Sequence, residues 1–383
     1  VPPTHLRSVL KSSNQSAWTR RGFLQTSAGM LSGLALSSCG WTLAEVKSDV
    51  GDVSDHQPAS NELYIYTWSS YFDDELLDGF QKQTGIKVIA DTFESNEVML
   101  ATLRAGKGAA YSVIYPSDYT VAKMISLKML RELDRSRLPG LSNLLPRFQN
   151  SITDPGNRYH VPFSWGTTGF TYDSEQLSPG PDGWSYLWQT QDKLSRRMTL
   201  MSDLREVMGG VLRSIGYSYN STNPAEIQQA YEKLVQLKPQ IVTFNTDAWR
   251  DQLIAGDLVL SMGFSSDALT VMSEDARLRY VIPATGTSVW SDTLVIPKTA
   301  PNPKAAYAWI NYLLEPAIAA KVTERLLFAT PNQAAYEQLP AALQKNEVLF
   351  PPESVLARCE GIVPVSSDTE ALYERYWTQL VSS

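Results

Sequence analysis

Residues 62–71 read Glu-Leu-Tyr-Ile-Tyr-Thr-Trp-Ser-Ser-Tyr, and they set the architecture expected of the chain. Leu63-Tyr64-Ile65-Tyr66 is a short apolar run rich in β-forming side chains, which predicts a buried strand. Trp68-Ser69-Ser70-Tyr71 follows, two large aromatics around two small hydroxyls. Asp73-Asp74-Glu75 then opens an amphipathic helix. A strand feeding a helix is the unit of an open α/β sheet, in which ligands sit just beyond the carboxyl ends of the strands. Trp68 and Tyr71 are therefore placed to wall a site; the alternative is that Trp68 plugs an edge of the core.

Working outward, the first helix runs from Phe72 to Thr84, with Gly85 as its stop. A strand over Ile86–Phe93, a helix from its Ser95 cap to about Ala105, and a strand over Tyr111–Tyr115 follow. This alternation predicts a parallel sheet covered by helices. Pro116-Ser117-Asp118-Tyr119 then repeats the small-polar-then-aromatic chemistry at a strand end. Residues 134–160 read as loops with short helices. Val161–Gly166 and Thr168–Asp173 read as extended, with a domain crossover near them. A second α/β run covers about 170–288, with strands at Met198–Met201, Ile241–Phe244 and Leu258–Met262. Its helices are Arg205–Ile215, Pro224–Leu237 and Ala248–Ala255. A strand over Thr293–Ile296 leads into one long helix, Lys304 to about Leu327, and short helices finish the chain.

The 383 residues are 43% hydrophobic and 19% charged, the balance of a soluble globular protein of about two domains. A net charge of −7 argues against a nucleic-acid partner, which selects a basic face, and is compatible with a cationic ligand. The only cysteines, Cys39 and Cys359, are too few for a disulfide scaffold or a cysteine metal site. His5, His56 and His160 have no partner at metal-ligand spacing. There is no Gly-x-Ser-x-Gly, no His-Glu-x-x-His and no Gly-x-Gly-x-x-Gly after a strand, so no catalytic residue, metal or cofactor is expected.

Thr19-Arg20-Arg21-Gly22-Phe23-Leu24 is a twin-arginine export motif. The apolar stretch Thr26–Leu36 is too short and too rich in Gly and Ser to span a bilayer, and Leu36-Ser37-Ser38-Cys39-Gly40 has the form of a lipobox. Residues 1–39 are expected to be a signal peptide, Cys39 a lipidated anchor and residues 40–60 a polar tether. That places the protein in the periplasm, held to the membrane by lipid alone.

The remainder, about residues 60–383, resembles the polyamine-binding subunits of bacterial ABC importers. These are extracellular solute-binding proteins with a two-lobed type II periplasmic-binding fold. The resemblance rests on colinear stretches: Tyr66-Thr67-Trp68, Thr84-Gly85-Ile86-Lys87-Val88, Glu94-Ser95-Asn96-Glu97, Pro116-Ser117-Asp118-Tyr119, Asp203-Leu204-Arg205-Glu206-Val207, Phe244-Asn245-Thr246-Asp247, Trp290-Ser291-Asp292 and Thr330-Pro331-Asn332. It implies two α/β lobes, 60–168 with 291–347 and 169–290 with 348–383, joined by crossover strands and closing as a hinge. It also implies a monomer that captures putrescine or spermidine between the lobes and delivers it to a permease and ATPase complex in the inner membrane.

Such a ligand carries two or three cationic nitrogens on methylene stems. Each nitrogen that leaves water needs a carboxylate and further acceptors, and the stems need flat apolar walls. The resemblance assigns Trp68, Ser69, Tyr71, Ser117 and Tyr119 to the ligand from one lobe. It assigns Asp203, Glu206 and, more weakly, Thr246 from the other, and adds the pair Trp290 and Asp292. On spacing alone, Asp203-x-x-Glu206 ahead of an apolar helix reads as a capping box. The departures are Ser70 where an acid is usual, Phe264 for a usual Trp, Phe328 for a usual Tyr, and no glutamine near Val363. Asp267 stands at the acid position of putrescine binders. Other readings in view are the same fold binding another small cationic solute, a polyamine sensor, and an exported glycosidase suggested by the paired acids.

Overall fold

The computed structural model describes residues 61–382, so the expected signal peptide, the lipidation site Cys39 and the tether of residues 40–60 lie outside the described residues. Among the described residues the strands are β1 (Glu62–Trp68), β2 (Lys87–Phe93), β3 (Val113–Ile114), β4 (His160–Asp173), β5 (Met198–Leu200), β6 (Ile241–Phe244), β7 (Leu260–Phe264), β8 (Leu278–Val281) and β9 (Val289–Val295). They order as β2-β1-β3-β9-β4-β7-β5-β6, with β8 also pairing β4.

β1 pairs parallel with β2 and β3, and β5 with β6 and β7, as the strand–helix alternation predicts. β4 and β9 run antiparallel to their neighbours, so the sheet is mixed rather than parallel. β4 is the long crossover. Its first half, His160–Thr167, pairs β9, and its second half, Thr168–Asp173, pairs β7 and β8. Each half of the sheet has its own core. Phe80, Val113, Leu294, Trp309 and Ile310 pack in the first, and Phe170, Met198, Val207, Leu234 and Met262 in the second.

Local chemistry ends the elements. Asp73 accepts from the Leu76 amide at 2.8 Å, and Gly85 takes the left-handed conformation at φ 73°, so the first helix spans Asp74–Thr84. Ser95 accepts from the Val98 amide at 3.2 Å and caps Asn96–Arg104. The single long helix expected from Lys304 onward is two, Pro303–Leu314 and Pro316–Leu326. Pro316 has no amide hydrogen, and Glu315 before it is extended at ψ 123°, which breaks the ladder although the apolar spacing continues through it. Helices Asp118–Ser126 and Ser265–Glu274, unread in the sequence, start directly after strands β3 and β7. The chain closes on a 16-residue helix, Ser367–Ser382, rather than on short ones alone. Cys359 is half-buried.

Candidate functional site

The carboxyl ends of β1, β3, β5, β6 and β7 open onto one cavity, closed at the side by β9. Trp68 ends β1, and Ser69, Ser70 and Tyr71 turn back beneath it, the Tyr71 amide donating to the Trp68 carbonyl at 3.3 Å. Ser117 and Tyr119 open the helix after β3. Asp203 and Glu206 open Leu204–Ser214 after β5, and Ser266 and Asp267 open the helix after β7. Helix N-termini carry partial positive charge, which suits an anion. Here acids fill those first turns and reverse the sign.

All but one of the residues assigned from the sequence line this cavity: Trp68, Ser69, Tyr71, Ser117, Tyr119, Asp203, Glu206, Thr246, Phe264, Asp267, Trp290 and Asp292. The exception is Phe328, which is 2% exposed and packs behind Tyr71, ring centroids 4.9 Å apart. It supports the Tyr71 ring and does not reach the cavity, a position that depends on tertiary packing alone. Phe93, Glu94, Asp247 and Ser266 also line the cavity and were missed. Glu94 and Asp247 sit inside stretches already singled out. Phe93 packs against Trp68 with the rings tilted and their centroids 4.5 Å apart, a contact set by the register of β1 and β2.

The acids are buried yet held by different partners. Asp292 accepts from the Tyr71 hydroxyl and, at 2.6 Å, from Ser117 Oγ. Asn96, fully buried, donates to Ser117 Oγ and to the Tyr119 hydroxyl, each at 3.0 Å, and so directs the Ser117 proton at Asp292. Glu206 accepts from Ser288 Oγ at 2.6 Å and the Tyr219 hydroxyl at 2.8 Å. Asp203 accepts from the amides of Arg205 at 2.9 Å and Glu206 at 3.1 Å. The capping box is therefore half formed. Asp203 caps the helix, while Glu206 turns to Ser288 and leaves no reciprocal bond. Asp203 does both things, since its carboxylate caps and also lines the cavity. Asp267 is different again. The Arg250 guanidinium lies 2.7 Å from it, so this acid is already paired.

Burial pushes Asp292 and Asp267 up to about 6, Arg250 opposing the rise at Asp267. Burial, then the neighbouring Asp203 charge, pushes Glu206 up to about 7. Burial likewise raises Asp203. Desolvated carboxylates of this kind gain most from a cation brought against them. Flat walls complete the cavity. Trp290 meets Phe264 edge-to-face at 5.3 Å, and Trp68 and Tyr71 face from β1. Opposite sides of the cleft touch through Ser69 Oγ and Asp247 at 3.3 Å, and farther out through Lys123 and Glu370 at 2.5 Å.

A family profile for bacterial extracellular solute-binding proteins matches residues 75–351. The chain is 37% identical over 326 residues to the spermidine/putrescine-binding periplasmic protein of Salmonella typhimurium, covering 85% of this chain and 93% of that one. It is 30% identical to the putrescine-binding periplasmic protein SpuD of Pseudomonas aeruginosa, over 85% and 94% of the two chains. Its fold matches the spermidine/putrescine ABC transporter substrate-binding protein PotD of Streptococcus pneumoniae with a TM-score of 0.72 and 34% identity, over 84% and 98% of the chains.

Proposed function

The chain belongs to the family of bacterial extracellular solute-binding proteins, and from that premise we propose that it captures a polyamine in the cleft between its lobes and delivers it to an ABC importer. The observation that carries this reading is the cavity itself. Carboxylates from both halves of the sheet and six aromatic rings converge where the strands end. An ammonium against Asp292 and another against Glu206 and Asp203 replace lost water with fixed oxygens, while Trp68, Tyr71, Phe264 and Trp290 flank the methylene stem. Each aromatic face adds roughly 0.5–2 kcal/mol toward a cation, and micromolar binding needs about −8 kcal/mol in all. The protein binds and releases its ligand without chemical change.

The lobes are 60–168 with 291–347 and 169–290 with 348–383; the change of β4 partners between Thr167 and Thr168 supports that division. The twin-arginine motif and the lipobox support export of the chain and lipidation at Cys39, which makes it a monomeric periplasmic receptor on a lipid tether. Among the described residues no helix is long and apolar enough to cross a membrane.

The function is tested by its pH dependence. Asp292, Asp267 and Glu206 titrate near 4 when unfolded and at about 6 to 7 when folded. Between those values the folded state binds more protons than the unfolded one, so these groups lower stability as pH rises through that window. A bound diamine holds Asp292 and Glu206 ionised and removes their share of that loss. The rise in melting temperature caused by putrescine is therefore expected to grow from about pH 5 to about pH 8. No rise at any pH, with putrescine or spermidine, would refute the reading.

The double duty of Asp203 gives a second expectation. Asp203→Asn keeps a side-chain oxygen for the cap but removes the charge, so putrescine affinity falls while stability holds. Asp203→Ala loses both, with a further stability cost of about 1 kcal/mol. Calorimetry and thermal denaturation on the two variants separate the roles; equal stability losses would show that the cap explanation is wrong.

A further inference from the structure

We propose that Arg250 sets how many charges the ligand carries, holding Asp247 and Asp267 so that the cleft keeps two free buried anionic poles and selects a diamine over a triamine. This deepens the polyamine reading and rests on it. Arg250 follows β6 on helix Trp249–Ala255, and its guanidinium is 23% exposed. One nitrogen, Nη1, reaches Asp267 Oδ1 at 2.7 Å, and the other, Nη2, reaches Asp247 Oδ1 at 2.5 Å. Its Nε donates to the Asp247 carbonyl at 3.1 Å, which fixes the fork in place. Both carboxylates line the cavity.

The partners of the other acids are of another kind. Asp292 is held by the hydroxyls of Tyr71 and Ser117, and Glu206 by those of Tyr219 and Ser288. Hydroxyls orient a carboxylate and leave its charge. A guanidinium orients it and cancels the charge. The Arg205 guanidinium, near Asp203, bonds instead to Asn220 and to the Val363 carbonyl, each at 3.1 Å. The uncancelled buried poles are thus Asp292 on β9 and Asp203 with Glu206 across the cleft. At position 70, in the same cavity, a serine offers no further charge.

Putrescine carries one ammonium for each pole. Spermidine carries a third cationic nitrogen of the same chain; of the cavity acids left for it, Glu94 is exposed to solvent and the other two are the ones Arg250 occupies. Inside the cleft that nitrogen gives up water without gaining a free buried carboxylate and comes toward a fixed positive charge. Asp267 alone suggests a generous acidic site; the structure shows that acid already satisfied from within.

Calorimetric titration with putrescine, spermidine and 1,8-diaminooctane tests this. The last has nearly the length of spermidine but two charges. The wild-type protein is expected to bind putrescine at least tenfold more tightly than spermidine, and 1,8-diaminooctane also at least tenfold more tightly than spermidine. Arg250→Gln frees Asp247 and Asp267 and is expected to move the spermidine-to-putrescine affinity ratio at least tenfold toward spermidine. Arg250→Lys keeps the positive charge and is expected to hold the ratio within threefold. The inference is overturned if Arg250→Gln binds putrescine with an unchanged ratio, or if wild-type protein binds spermidine as well as 1,8-diaminooctane. The diaminooctane comparison needs no variant and stands if Arg250→Gln does not fold. Absence of binding by any polyamine to wild-type protein is a separate result and refutes the function itself.

Discussion

Asp292→Asn is expected to weaken putrescine binding by at least tenfold while leaving the melting temperature of the ligand-free protein no lower. Asp292 is 6% exposed on β9, and two hydroxyls already point at it. Removing one member of a buried charge pair typically costs about 2–5 kcal/mol of binding, because the remaining charge is left desolvated and unmatched. That is roughly 30-fold in affinity at the lower end. Without ligand the balance reverses. The folded state already disfavours this carboxylate, as its rise to about 6 shows, so a neutral amide of the same shape relieves a burden. Calorimetry gives the affinity and thermal denaturation the stability. A fall in both would mean that Asp292 is chiefly structural, and an unchanged affinity would take it out of the site.

Gly166→Ala is expected to destabilise the protein by about 1–3 kcal/mol and to weaken ligand binding as well. Gly166 lies on β4 opposite Trp290 of β9. A methyl group there would lie 2.4 Å from Trp290 Cζ2 and 2.6 Å from Ser265 Oγ. Trp290 is 6% exposed, and the face of it that is free to yield is the one lining the cavity. A strain at the crossover strand thus becomes a displaced wall in the site. Thermal denaturation and putrescine titration on the one variant check both effects. Loss of stability with full affinity would show that the crossover strand and the Trp290 wall are independent.

Much of this arrangement was legible in the chain because it is local. The run Leu63–Tyr66, the Asp73 and Ser95 caps and the Gly85 stop are each set by neighbours a few residues away. Trp68 and Tyr71 followed from the end of the first strand, where an open sheet leaves its crevice, and the other cavity-lining residues came from the resemblance. What could not be read is what folding brings from afar. Strand direction has no local signature, so β4 and β9 were not seen to run antiparallel. Glu206 has capping-box spacing but bonds Ser288, 82 residues on. The spacing of Asp247 and Arg250 is that of a helical ion pair. Nothing local says that the same guanidinium also takes Asp267, 17 residues away. Phe328 stood at a position expected at the ligand and was drawn behind Tyr71 by the aromatic core of the first half of the sheet.

The most direct measurement is a pair of calorimetric titrations of the protein, one with putrescine and one with 1,4-butanediol, which has the same stem and no charge. Putrescine is expected to bind one-to-one with micromolar or tighter affinity, and the diol to give no measurable heat. If the diol binds as well as the diamine, or if putrescine and spermidine both give no heat at micromolar protein, the carboxylates of the cleft are not there for ammonium groups.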